Sequence, residues 1–216
     1  MKILVACEES QEVCKAFRAL GHEAYSCDIQ DCSGGRPEWH IKGDAREVVK
    51  RNGWGMLVGH PVCTFMCRHR SRWNHRDNTA QGQEQGKELF TELWNADIPL
   101  IALENPVPLK GILPPYTQII QPYQFGHDYS KKTCLWLKGL PKLVPTKIVP
   151  LTYYTTPKGK RFTYGWYMTP RNSKARSKTF PGIAKAMAEQ WGGDIRPAEL
   201  AARAFLSSLK DKEGGV

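Results

Sequence analysis

Residues 2–21 read KILVACEESQEVCKAFRALG, and their order of residue types sets the fold. KILVAC is a short apolar run of strand type, EESQ is a polar turn, and VCKAFRAL has helical spacing ended by Gly21. The same alternation recurs along the chain. HEAYSCDI (22–29) gives a strand ending at Asp28, and WHIKGDAREVVKRNG (39–53) gives a strand end near Ile41 followed by a short helix stopped at Gly53. GMLVGH (55–60) gives a strand that Pro61 terminates. TAQGQEQGKELFTELWNA (79–96) places Leu89, Phe90, Leu93 and Trp94 at helical spacing, a core stripe, and PLIALEN (99–105) gives another strand. Strands alternating with helices predict an α/β, Rossmann-like fold: a mostly parallel sheet with helices on both faces.

After Pro106 the pattern changes. TCLWLKGL (133–140) and KIVPLTYY (147–154) look like antiparallel strands, and residues 142–178 are rich in Pro, Gly and Lys with weak periodicity. FPGIAKAMAEQWG (180–192) and RPAELAARAFLSSLK (196–210) return to helix, the latter with Pro197 suited to a first turn, and DKEGGV is a frayed tail. These boundaries predict a body made of 1–141 and 179–210, with 142–178 as a small basic recognition lobe.

The chain of 216 residues carries a net charge of +10, unevenly placed. Tyr129 to Ala188 holds thirteen Lys or Arg and no Asp or Glu, while the rest has 18 basic against 21 acidic side chains. Within the basic stretch Tyr153, Tyr154, Phe162, Tyr164, Trp166 and Tyr167 are interleaved, a composition that suits a polyphosphate partner with stackable bases as well as a merely solvated cationic face. No run of about 18 apolar residues occurs and the N-terminus has no signal-peptide pattern, so a soluble, cytoplasmic protein without membrane contact is expected. Seven cysteines without framework spacing suggest reduced thiols.

In a doubly wound sheet ligands bind beyond the carboxyl ends of the strands, and polar groups fall there: Glu8 to Gln11, Asp28, Asp44, and the pair Cys63 and Glu104. Cys63 has three readings, as a buried structural thiol, as a metal ligand with Cys67 and His69, or as a nucleophile activated by Arg68, Arg70 and Arg72. The metal reading lacks a second ligand pair at usual spacing, so no metal is expected. Glu104 on a strand adjacent to that of Cys63 would reach the same substrate. Asp28 and Asp44 also suit turn or helix caps, and Arg68 to Arg76 equally suit a solvated loop.

Taken together, Pro61-Val62-Cys63, Glu104-Asn105, the segment Phe125 to Thr133 and the late helix in TFPGIAKAMAEQWG resemble the cytosine-5 DNA methyltransferase family, in a compact form of phage type. The similarity covers most of residues 1–192. It implies the class I methyltransferase variant of the Rossmann-like fold, S-adenosyl-L-methionine as cofactor, and methyl transfer to carbon 5 of a cytosine flipped out of double-stranded DNA, by a monomer in a bacterial or phage-infected cell. In that chemistry Cys63 adds to carbon 6 and makes carbon 5 nucleophilic. Glu104 binds ring nitrogen 3 and the exocyclic amine, and a cation from Lys131 or Lys132, with Lys132 as the catalytic assignment, meets the ring oxygen.

On the cofactor side the resemblance implies Cys7, Glu8, Glu9 and Ser10 near the sulfonium, Asp28 and Ile29 near the ribose, Asp44 and Ala45 near the adenine, and Pro61 in the pocket wall. DNA would be held by Arg68, Arg70, Arg72, Arg76, Asn105 and Lys131, and in the lobe by Lys158, Lys160, Arg161, Arg171 and Lys174. Two motifs depart from the family. Its Phe-x-Gly-x-Gly is here Val5-Ala6-Cys7-Glu8-Glu9, and its Gln-x-Arg-x-Arg is Ser130-Lys131-Lys132-Thr133-Cys134. Alternatives that the sequence leaves open are the same chemistry on RNA or with a modified sulfonium donor, and a non-catalytic DNA-binding module.

Overall fold

The computed structural model describes residues 1–67, 79–170 and 172–193. The helix expected over 196–210, Arg68 to Arg76 and Arg171 lie outside the described residues. β1 (Lys2–Ala6), β2 (Glu23–Asp28), β3 (His40–Lys42), β4 (Met56–Gly59), β5 (Leu100–Pro106), β6 (Gln118–Ile120) and β7 (Thr133–Lys138) form one sheet in the order β3-β2-β1-β4-β5-β7-β6. β1 to β5 pair in parallel, and β7 runs antiparallel to both β5 and β6. The chain therefore has the expected Rossmann-like α/β fold, a mostly parallel sheet with β7, among the described residues, as its one antiparallel strand.

The run Ile3, Leu4, Val5 is fully buried because both faces of the sheet are covered. Ile3 and Val5 pack with Phe17 of α1 (Glu12–Ala19) and Ile183 of α6 (Pro181–Gly192). Leu4 and Ala6 pack with Val48 of α2 (Ala45–Val49) and with Phe90 and Leu93 of α3 (Thr79–Trp94). Each such side chain contributes about 1.5–3 kcal/mol when removed from water. α1 ends as its sequence demands, with Gly21 at φ 81.

The first half of the chain follows its periodicity closely, and the second does not. TCLWLK forms β7 but inserts into the main sheet beside β5, where β6, three residues long and too short for a periodic signal, flanks it. KIVPLTYY is not one strand. Pro150 lacks the N–H a ladder needs, so Lys147 makes an isolated bridge to Phe125 and only β8 (Tyr153–Thr155) pairs with β9 (Arg161–Thr163). Two five-residue helices, α4 (Tyr164–Met168) and α5 (Ser173–Ser177), occupy the segment of weak periodicity. Residues 142–149 are tied to the body: Leu143 is in its core and the Gln190 amide both donates to and accepts from Val144. Among the described residues no helix is long and apolar enough to cross a membrane.

Candidate active site

The strand order reverses between β1 and β4, so the loops leaving their carboxyl ends diverge and open a crevice. A cleft of about 390 Å³ lies there, lined by Cys63, Glu104, Asn105 and Lys131 together with His60 and Pro61. Cys7, Glu8, Glu9, Ser10 and Asp28 line its other side. A second cavity of about 560 Å³ adjoins it, sharing Cys7, Asp28 and Val62 and adding Ile29, Asp44 and Ala45. Residues 177–179, just before α6, close the first cleft.

Cys63 sits in a turn stopped by Pro61, where the Met66 N–H donates to the Cys63 carbonyl at 3.0 Å. The Leu109 N–H then donates to the Met66 carbonyl at 2.7 Å and anchors this turn to the loop after β5. α3 supports it from below, because Gly82 and Gly86 leave room for Phe65 and Met66. The Cys67 thiol donates to the Pro106 carbonyl at 3.7 Å, and its presence beside Cys63 is the main influence that pulls the Cys63 thiol below its ordinary value. Burial and the Glu104 charge oppose that shift, and the Lys131 charge supports it. The nearness of Cys63, with burial, pushes Cys67 up, so it stays protonated.

In the β4–β5 register Gly59 faces Leu103, which sets His60 opposite Glu104. His60 Nδ1 and Glu104 Oε2 are 2.8 Å apart, with side chains only 13% and 16% exposed. Burial works against a charge on His60, but the Glu104 hydrogen bond and the Glu104 and Glu8 charges outweigh it and hold the ring above its ordinary value, Lys131 opposing. Burial likewise opposes ionisation of Glu104, yet the His60 bond and charge, with Lys131, hold the carboxyl below its usual range. The 2.8 Å bond favours the charge-separated form, a protonated imidazole against a carboxylate. Sequence reasoning did not place this histidine beside Glu104, because the pairing depends on the β4–β5 register.

The carboxylate of Glu8 is used by the fold. It accepts from the Val13 N–H at 2.7 Å and the Cys14 N–H at 3.2 Å, capping α1 from outside the helix, and burial raises its pKa. Cys7 occupies the left-handed region at φ 58, a conformation that costs a non-glycine about 1 kcal/mol. Burial pushes its thiol up to about 12. Asp44 caps α2 by accepting from the Arg46 N–H and holds the Arg46 guanidinium, which keeps its carboxyl low. That occupied carboxylate is a helix cap first, so the adenine contact expected of it competes with Arg46. Asp28 stands where the two cavities meet, its Oδ1 accepting from the Gln30 N–H. With exposed Ile29 beside it, Asp28 could hold a ribose diol and an adenine face in the larger cavity, so these residues fit a nucleoside cofactor.

Lys131 and Lys132 part ways. Lys131 lines the cleft and donates from Nζ to the Arg176 carbonyl at 3.1 Å, whereas Lys132 is exposed and outside the lining, since successive residues of extended chain point oppositely. Of the two lysines, the one that enters the cleft is therefore Lys131. Lys158, Lys160 and Arg161 are exposed on and beside the β8–β9 hairpin, away from the cleft lining. There Arg161 lies 3.8 Å from the Tyr153 ring centroid, Lys160 lies over Phe162, and Phe162 stacks on Trp166. Lys174 lies in α5, of which only the backbone is described at that position. Among the described residues no group of three or more His, Cys, Asp or Glu could hold a metal ion.

No family model matches the sequence, and no curated protein matches it. Among solved structures the chain is similar to a provisionally assigned DNA modification methyltransferase encoded within a prophage of E. coli, at 11% identity and a TM-score of 0.48, over 70% of this chain and 53% of that one. It is also similar to WbdD bound to the kinase inhibitor LY294002, at 13% identity and a TM-score of 0.39, over 76% of this chain and 41% of that one. WbdD is described elsewhere as a bifunctional kinase-methyltransferase. The chain spans about half the length of the first of these and less of the second. These overlaps concern the course of the chain alone.

Proposed function

We propose that this chain transfers the methyl group of S-adenosyl-L-methionine to carbon 5 of cytosine in double-stranded DNA, with Cys63 as the covalent nucleophile. The single observation that carries the reading is that Cys63, Glu104 and Lys131 line one cleft of base-accepting size, next to a larger cavity with a carboxylate at the end of β2. A thiol held below its ordinary value adds to carbon 6 of the ring, the group facing it neutralises the opposite edge, and carbon 5 becomes able to take a methyl group. The cofactor supplies that methyl group as a sulfonium. Asp28 and Ile29 hold its nucleoside. The cationic hairpin with its stacked rings supports DNA as the partner, since phosphates meet Lys158, Lys160 and Arg161 while the cytosine leaves the stack.

The test is covalent trapping. Protein, cofactor and an oligonucleotide containing 5-fluorocytosine give a stable adduct, because fluorine cannot leave carbon 5 as a proton does. Cys63→Ser gives none. An adduct that survives in Cys63→Ser removes the assignment, and nucleoside mass spectrometry of products separates cytosine in DNA from RNA or uracil targets and from other transferred groups.

A further inference from the structure

We propose that His60 is the proton store behind Glu104, loading the Glu104 carboxyl so that ring nitrogen 3 of the target cytosine is protonated as Cys63 adds. This rests on the reading of Cys63 as nucleophile. Its ground is geometric. The imidazole is hydrogen-bonded through Nδ1 to Glu104 at 2.8 Å, and its Nε2 is buried with no hydrogen-bond partner among the described residues. The charged groups facing it are Glu104 from β5, Glu8 from the turn after β1, and Lys131 ahead of β7. Glu8 is fixed by the first turn of α1, and Lys131 is a cation, so the one hydrogen-bonded outlet for the His60 proton is Glu104.

Glu104 alone cannot do what the chemistry asks. Held below its usual range by His60, it is ionised at neutral pH and has no proton to give. An anionic carboxylate against nitrogen 3 repels the charge that develops there. The proton is on its neighbour. When the Cys63 sulfur pair forms the bond to carbon 6, the π pair between carbons 5 and 6 moves between carbons 4 and 5. The π pair between carbon 4 and nitrogen 3 becomes a lone pair on nitrogen 3. Glu104 takes the Nδ1 proton of His60 and passes a proton to that lone pair, so imidazolium becomes imidazole and the carboxylate is regenerated. Expulsion of the Cys63 thiolate reverses each transfer. His60 acts on the base through Glu104 and is a positioning residue.

The addition step can be read without any methyl donor, because the adduct exchanges the hydrogen on carbon 5 with solvent. Exchange on a cytosine oligonucleotide is followed against pH for the wild type and for His60→Asn, whose side-chain amide keeps an N–H where Nδ1 stands but does not titrate. In the wild type, exchange falls as pH rises through the raised His60 value. Ionisation of Cys63 acts in the opposite sense, so the two limbs are separable. His60→Asn lowers exchange by about a hundredfold and removes the alkaline limb, while its DNA affinity is unchanged, which shows that it is folded. An alkaline limb and rate in His60→Asn equal to the wild type overturn the relay. If the wild type neither exchanges the hydrogen nor traps 5-fluorocytosine, the nucleophile assignment itself fails, and the relay with it.

Discussion

The cleft and the hairpin lobe use charge in opposite ways. In the cleft Glu8, His60 and Glu104 are withdrawn from water and held by partners within the fold. In the lobe the cations have no carboxylate within the sequence segment and lie over aromatic rings or in solvent. A charge buried against a fixed partner is set to act on one small group placed beside it, because the low local dielectric magnifies each contact. An exposed cation without an anionic partner is set to meet a polyanion from outside, with strength that fades as salt rises. Lys131 joins the regions: its ammonium lines the cleft and is held by the Arg176 carbonyl at the end of the lobe. The lobe therefore helps to set the position of a cation in the cleft.

This contrast can be broken at several points. Glu104→Gln removes the carboxylate to which the proposed function gives the ring edge and strips His60 of its partner, so methyl transfer falls by about a hundredfold or more, while DNA affinity measured by titration stays near that of the wild type. A parallel loss of both would mean that cleft and lobe are one surface. Gly82→Val acts by packing instead. A Cβ at Gly82 would lie 2.3 Å from the Phe65 ring, so the turn carrying Cys63 has to move; a loss of about 2 kcal/mol in denaturant unfolding is expected, together with slower 5-fluorocytosine trapping.

Arg161→Ala takes a cation from the exposed side, at a cost of about 1 kcal/mol in DNA affinity, and lowers the slope of log affinity against log salt by about one. An unchanged slope would show that the hairpin faces away from the phosphates. The smallest effect concerns pH and stability. Glu104 has a lowered value in the fold, so its contribution is present above its unfolded value of 4.5 and is lost as pH falls through the folded one. His60 has a raised value, so its contribution is present below 6.5 and is lost as pH rises through the folded one. The pair thus stabilises most between pH 4.5 and 6.5. Urea midpoints of wild type and Glu104→Gln should differ most in that window; a constant difference across pH would remove the ion pair.

Much of the first half was legible. Ile3 to Ala6, Met56 to Gly59 and Leu100 to Leu103 are short apolar runs whose burial on both sheet faces follows from their composition, and turn residues mark their ends. Cys63 and Glu104 were placed together because they follow or end consecutive strands, and adjacent parallel strands bring such residues into one crevice. β6, α4 and α5 were not legible, since elements of three to five residues carry no full period. The choice between Lys131 and Lys132 was equally closed, because it depends on the local direction of one extended residue.

By itself, the amino-acid order determined the α/β alternation, the carboxyl-end location of the polar groups and the cationic character of the stretch from 129 to 188. Each is a local property, fixed by side-chain type and spacing along the chain. Only the tertiary structure decided that His60 pairs with Glu104, that the Glu8 carboxylate caps α1 and that Lys131 enters the cleft. Those outcomes depend on strand register and on burial, and the ionisation of a buried group is set by the neighbours that packing brings to it.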